Sequence, residues 1–167
     1  NPKLGRPTPE TLISEIQRLN SINSQISVQP GTNLTPWQFR GPNNVGGRTR
    51  ALAWDPNDAT GKKVWAGAVT GGLWYNPDIT NSTSSWVSVN DVWQNVTVTC
   101  IAFDPNNTQI IYVGTGEGWG TTTSTSRGQG IYKSTDGGKS FSLLSNTSGF
   151  YYINDIVVRN ESGTSVV

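Results

Sequence analysis

Histidine is absent from the sequence. Without an imidazole, these residues supply neither a Ser-His-Asp nor a Cys-His catalytic set, and no histidine-ligated zinc site. Methionine is absent too, even at position 1, so we expect the chain to begin at a processing site, such as that left by signal-peptide removal, or inside a longer precursor. The single cysteine, Cys100, cannot form a disulfide within the chain, and its strand-like surroundings predict a buried structural thiol.

Charge is scarce and almost balanced, with 12 Lys and Arg against 11 Asp and Glu. The sequence has no run of basic residues of the kind that binds nucleic acid or an anionic membrane. No apolar run approaches the ~20 residues that span a bilayer. We therefore expect neither nucleic-acid binding nor membrane insertion. The abundant residue types are Gly, Asn, Ser and Thr, together with seven Trp, and they favour short strands joined by polar turns.

Residues 1–36 are predicted to form a helix followed by a linker. Thr8 is a suitable N-cap and Pro9 suits the first helical position. The apolar residues that recur at helical spacing are Leu12, Ile16 and Leu19. The helix is predicted to end near Asn20, and the polar stretch after it contains Pro30, Gly31 and Pro36, which is typical of a linker.

Residues 37–167 contain an internal repeat. The segment ALAWDPN at 51–57 matches CIAFDPN at 100–106, which lies 49 residues later. Three more pairs of similar segments follow in the same order: 64–67 with 111–114, 72–75 with 130–133, and 86–89 with 141–144. The cycle is predicted to restart at Asp155–Val158.

Each period thus holds about four short strands, as one blade of a β-propeller does at ~40–50 residues per repeat. The predicted fold is all-β: a partial β-propeller of about two blades plus the start of a third, preceded by the short helix and linker. Two blades cannot close a ring. We therefore expect the propeller domain, which begins at residue 37, to continue in sequence after Val167.

The octapeptide STDGGKSF at 134–141 fits the pattern Ser-x-Asp-x-Gly-x-(Ser/Thr)-(Trp/Phe). It resembles the Asp-box, or BNR repeat, of sialidases, sortilin-type receptors and xyloglucan-hydrolysing propellers. Its chemistry predicts a hairpin turn in which an aspartate accepts backbone hydrogen bonds, two glycines adopt positive φ, and the aromatic residue packs beneath. We expect a structural role for the pattern residues, which are Ser134, Asp136, Gly138, Ser140 and Phe141.

A wider set of segments resembles large exported surface proteins of the Bacteroidetes. These segments are WQFRGPNNVGGRTR at 37–50, VTGGLW at 69–74 and GTGEGWG at 114–120. The resemblance implies a secreted or cell-surface protein, exported by type IX secretion through a C-terminal sorting domain beyond Val167.

Five residues are candidate ligand contacts. Arg48 and Arg50 lie in a segment that resembles the start of the sialidase strand whose arginine binds the substrate carboxylate, and guanidinium pairing suits an acidic sugar. The alternative is that both arginines pair with nearby acids at a blade rim. Glu117 and Trp119 can bind a sugar through carboxylate hydrogen bonds and stacking, or Glu117 can cap backbone N–H groups. Arg127 is placed to meet Glu117 across the same face.

Catalysis by these residues is disfavoured. Xyloglucan-hydrolysing propellers carry a catalytic aspartate in a segment that resembles 68–74, where this chain has Val69. A valine cannot donate a proton, so a paired-carboxylate mechanism loses one partner. The Asp-Pro-Asn turns offer oxygens for calcium, but turn formation is favoured and no cofactor or metal is predicted.

The predicted function is that of a non-catalytic secreted or cell-surface propeller. It would bind glycan or protein partners, or act as a scaffold module of a large adhesin-like protein. The alternative is an exo-acting glycoside hydrolase of sialidase type whose catalytic residues lie in blades beyond Val167. A third class, a structural subunit of an extracellular assembly, would bury its blade edges against other copies.

Overall fold

The computed structural model describes residues 9–25, 48–89, 97–119 and 125–167. The chain divides into two units, residues 1–46 and 47–167. In the described part, no helix has the length and apolar character that crossing a membrane requires.

The first unit contains helix α1, which spans Pro9–Gln25. The helix was predicted, but its predicted end near Asn20 is wrong. The sequence has neither glycine nor proline between Asn20 and Pro30, so nothing in the chain breaks the helical hydrogen bonding there. The Ser21 hydroxyl donates to the Arg18 carbonyl, 2.7 Å away, within the continuing helix. The predicted cap Thr8 and the linker after residue 25 lie outside the described residues.

The second unit contains two four-stranded antiparallel sheets, in which neighbours along the chain pair in order. The strands of sheet 1 are β1 (Thr49–Trp54), β2 (Val64–Ala68), β3 (Gly72–Asn76) and β4 (Val87–Ser88). The strands of sheet 2 are β5 (Val98–Phe103), β6 (Ile111–Thr115), β7 (Ile131–Ser134) and β8 (Ser142–Leu143). A hairpin of β9 (Arg159–Glu161) and β10 (Thr164–Val166) follows. These are two blades of a partial β-propeller and the start of a third, as the repeat predicted.

The two sheets repeat each other in register. Ala51 pairs with Gly67 in sheet 1, and Cys100 pairs with Gly114 in sheet 2. Both first strands also shift register at the same place, just before these two pairs. The repetition therefore extends from the sequence to the backbone pairing.

The predicted restart of the cycle at Asp155–Val158 leads directly into β9, which begins at Arg159. Arg159 pairs with Val166, so in this hairpin the residues opposite 155–158 are Val167 and those that would follow it. Ile153 and Ile156 pack onto the outer face of sheet 2, against Cys100 and Tyr112. Burial raises the pKa of the Cys100 thiol to about 11, so the cysteine is a structural thiol.

The main core lies between the sheets. Its buried residues are Trp65 and Leu73 from sheet 1 and Val98, Ile111, Val113 and Tyr132 from sheet 2. Alternation along each strand sends these side chains toward the facing sheet. This packing fixes the two ends of the sheets. One end, where β1 and β5 begin, holds Glu117 and is called the Glu117 end; the other holds the Asp-Pro-Asn turns and Asp136 and is called the turn end.

Candidate functional site

Three of the five candidate ligand residues meet at the Glu117 end. The Glu117 side chain is 1% exposed and forms ion pairs with Arg48 and Arg50. Arg50 Nε donates to Glu117 Oε1 at 2.7 Å, while Arg48 Nη2 donates to Oε2. The arginine side chains are 56% and 36% exposed, respectively. The start of β1 is thereby tied to the β6–β7 loop of the next blade by charge-assisted hydrogen bonds.

The backbone around Glu117 is held separately from its side chain. The Glu117 N–H donates to the Ser126 carbonyl at 2.7 Å, and the Ser126 N–H donates back at 3.2 Å. The hydroxyls of Thr97 and Ser126 lie 2.5 Å apart. Among the described residues, the Glu117 carboxylate accepts from the two arginines. The alternative in which Arg48 and Arg50 pair with a nearby acid describes the observed contacts.

Arg127 lies near the same loop but not on Glu117. Its guanidinium carbon is 3.5 Å from the ring centroid of Tyr151, a cation–π arrangement. No ion pair joins Arg127 to Glu117 within the described ranges, so the predicted contact between them is not formed. Both Glu117 oxygens already face Arg48 and Arg50, which explains the difference. Trp119, two residues after Glu117, is 64% exposed.

The structure adds aromatic residues that the motifs did not indicate. Phe150, Tyr151 and Tyr152 are 54%, 44% and 46% exposed. Their segment lies along the Glu117 loop: the Tyr151 carbonyl accepts from the Gly128 N–H at 2.8 Å. The signal was available in the sequence as three consecutive aromatic residues at 150–152, a run that strand patterning ordinarily assigns to the core.

The residue at the position where the resemblance implies a catalytic aspartate is Val69, and its side chain is buried. Val69 is 4% exposed, and its N–H donates to the Arg48 carbonyl at 3.0 Å. An apolar side chain thus fills the site where paired-carboxylate hydrolysis requires an acid. Among the described residues, no group of three or more Cys, Asp or Glu side chains is arranged to hold a metal ion.

At the turn end, Asp136 organises the loop between β7 and β8. Its Oδ1 accepts from the N–H groups of Lys139 and Ser140, both at 3.0 Å, and its Oδ2 accepts from the Ser140 hydroxyl at 2.6 Å. The Ser134 hydroxyl donates to Asp136 at 2.8 Å and accepts from the Gly138 N–H at 2.9 Å. Gly138 has a φ of +86°, and Phe141 packs against the main core. These contacts are those of a structural turn.

The hydrogen bonds from Ser140, Ser134 and Lys139 hold the pKa of Asp136 well below its usual range. Asp136→Asn is therefore expected to lower the urea midpoint of unfolding at pH 7. A depressed pKa stabilises the folded state above the unfolded pKa of about 4, and this contribution disappears as the pH falls further. The difference between wild type and variant should shrink between about pH 5 and pH 2.

Glu161→Gln is the matched control for Asp136→Asn. The Glu161 carboxylate is 51% exposed and pairs with Arg159, an arrangement that contributes little to stability. A pH-independent difference for Asp136→Asn, or an equal loss for both variants, would contradict the assigned role of Asp136.

The Asp-Pro-Asn turns use their aspartates in the same way. Asp55 accepts from the Asn57 N–H at 2.9 Å and from Trp65 Nε1 at 3.0 Å, and it pairs with Lys63 at 2.8 Å. Burial opposes ionisation of Asp55, but the bonds from Lys63, Asn57 and Trp65 outweigh it and lower the pKa of Asp55. Asp104 accepts from the Asn106 N–H at 2.8 Å. Both carboxylates thus make the turn contacts that the sequence favoured over calcium binding.

No protein-family model matches the sequence, and no curated protein matches it. Among solved structures, the chain is similar to an ancestral GH74 (glycoside hydrolase) enzyme, at 25% identity and a TM-score of 0.51 over 69% of this chain. It also matches the GH74 enzyme of Niastella koreensis, at 28% identity and a TM-score of 0.41 over 61% of this chain. The chain spans only 12% and 15% of the lengths of these enzymes. The first similarity supports the partial β-propeller fold.

Proposed function

We propose that the chain belongs to a secreted or cell-surface β-propeller that binds glycans without hydrolysing them. The observation that carries this proposal is the state of Glu117, a carboxylate that is buried and held by two arginines. Such a group is poorly placed to exchange protons with a substrate, and Val69 replaces the other expected acid. The similarity to a GH74 enzyme supports a glycan ligand.

The wider context is part of the same proposal. The propeller would continue after Val167 and serve as a binding or scaffold module of a large adhesin-like protein exported by type IX secretion, as the Bacteroidetes resemblance implies. Protein partners remain compatible with this role, because propeller loops vary freely on a rigid scaffold.

An exo-acting glycoside hydrolase of sialidase type is the second candidate. The similarity to a GH74 enzyme is compatible with a glycoside hydrolase, since this chain spans only 12% of that enzyme. Two assays on the intact protein separate the candidates: binding to immobilised polysaccharides, and hydrolysis of aryl glycosides. Binding without hydrolysis supports the proposal, whereas turnover supports the hydrolase.

Glu117→Gln is expected to destabilise the intact protein by about 1–2 kcal/mol. The amide cannot balance two guanidiniums, but the partial exposure of both arginines reduces the loss. Glycan binding should weaken because the loop that carries Trp119 is no longer tied to β1. Thermal unfolding and the two assays measure these effects, with Glu161→Gln as an exposed control. Unchanged stability and binding would remove Glu117 from the site, and turnover abolished by Glu117→Gln would identify a catalytic acid.

A further inference from the structure

We propose that the Glu117 end binds a polysaccharide containing uronic acids, an inference that rests on the proposed glycan-binding function. Arg48 would pair with the uronate carboxylate. Trp119, Tyr151 and Tyr152, called here the aromatic edge, would contact the faces of neighbouring sugar rings.

The aromatic edge and the arginines are brought together by one loop. Glu117 directs its carboxylate to Arg48 and Arg50, on the side of the first blade. On the other side, the next residue, Gly118, packs so closely that an added Cβ would lie 3.3 Å from the Cβ of Tyr152. The Ile153 N–H donates to the Thr115 carbonyl at 3.0 Å, which fixes the tyrosine segment along the loop. A chain of several sugars bound at the Glu117 end can therefore contact both the arginines and the aromatic edge.

The aromatic edge has the properties of a sugar-binding surface. Trp119, Tyr151 and Tyr152 are 64%, 44% and 46% exposed, respectively, whereas large aromatic residues are usually more buried. Tyr and Trp combine a flat apolar ring with a polar group, and they order on binding at low entropic cost. The backbone of the Tyr151–Tyr152 segment is held by hydrogen bonds from Gly128 to Tyr151 and from Ile153 to Thr115, so these two rings have a fixed position.

The charge at this end favours an acidic sugar over a neutral one. Two guanidiniums face one carboxylate, so the Arg48–Glu117–Arg50 group carries one excess positive charge. The Arg48 side chain is 56% exposed, and within the described part of the chain it pairs with Glu117 through a single Nη. Its other N–H donors are available for the planar, two-oxygen geometry of a carboxylate.

The test compares binding of the intact protein to polygalacturonate with binding to the same polymer after reduction of its carboxyl groups, by isothermal titration calorimetry. We expect polygalacturonate to bind at least about tenfold more tightly, and its affinity to fall between about 50 and 500 mM salt. Dextran sulfate provides a polyanion without carboxylates, and we expect it to bind more weakly than polygalacturonate.

Two variants and one control assign the contacts. Arg48→Gln should weaken binding to polygalacturonate by about tenfold and binding to the reduced polymer by clearly less, so that the preference for the native polymer falls. Tyr152→Ala should weaken binding to both polymers. Ile79→Ala is the control, because Ile79 is 42% exposed in the loop after β3 at the turn end and should not affect binding. Near-ultraviolet circular dichroism verifies that each variant is folded.

Equal affinity for the native and reduced polymers would overturn the inference and leave the proposed glycan binding intact. Equal affinity for dextran sulfate would also overturn it, because attraction would then depend on charge alone. Failure to bind either polymer overturns the inference, and failure across a panel of neutral and acidic glycans overturns the proposed function as well.

Discussion

Trp65→Ala is expected to lower the free energy of unfolding by about 3–5 kcal/mol, the range for removal of a buried tryptophan side chain. Trp65 is 1% exposed in the core between the two blades. Its ring packs beneath Gly138, where an added Cβ would overlap the indole. Its Nε1 donates to Asp55, which would be left as a buried acceptor without that donor. Alanine therefore removes the contact that joins the core to the Asp136 turn.

Urea unfolding of the intact protein measures this effect, with Trp65→Phe as the control. Phenylalanine keeps most of the ring volume and loses the indole N–H, so its expected cost is about 1–2 kcal/mol. If Trp65→Ala cost no more than Trp65→Phe, the packing of sheet 1 on sheet 2 would be contradicted.

The blades were predictable because the residues that begin and end the strands are similar in the two repeats. Asp-Pro-Asn follows β1 and β5 in both copies, and proline cannot continue a central strand. The glycine pair Gly67 and Gly114 marks the same register position in each sheet. Local chemistry of this kind is present in the sequence before any packing occurs.

The packing of the third repeat depends on tertiary contacts. Ile153 and Ile156, beside and within the predicted strand Asp155–Val158, pack against sheet 2. A pattern shows which residues are buried and does not show which partner covers them. The late end of α1 has a local cause, since a helix continues until a breaker or a cap intervenes.

The candidate site was only partly predictable. Glu117 was identified by its flanking glycines, and the arginines by a resemblance, yet their contact joins residues 69 and 67 positions apart. Only the packing of one blade on the next brings them together. The tyrosines at 151–152 were missed because no motif contains them, and their exposure follows from the backbone course along the Glu117 loop. Their role as ligand contacts stays a prediction.

Gly116→Ala is expected to destabilise the protein by about 3 kcal/mol and to weaken glycan binding. Gly116 has a φ of +89°, which strains any residue with a Cβ. That Cβ would also overlap the carbonyl oxygen of Tyr151 and the backbone of Gly128, and backbone atoms cannot rotate away. The tyrosine segment must therefore separate from the loop, which breaks the hydrogen bond from Gly128 to Tyr151. Hydrogen exchange at the Gly128 and Ile153 amides should accelerate in the variant.

Gly61→Ala is the control that separates backbone strain at positive φ from steric overlap of the added Cβ. Gly61 also has a positive φ, +65°, but an added Cβ there meets no atom within 4 Å. Its expected cost is the backbone strain alone, about 1 kcal/mol, with glycan binding unchanged. If the two alanine variants lost equal stability and both retained binding, the tyrosine segment would not be packed on the Glu117 loop. The ligand surface would then have to be sought on another part of the blades.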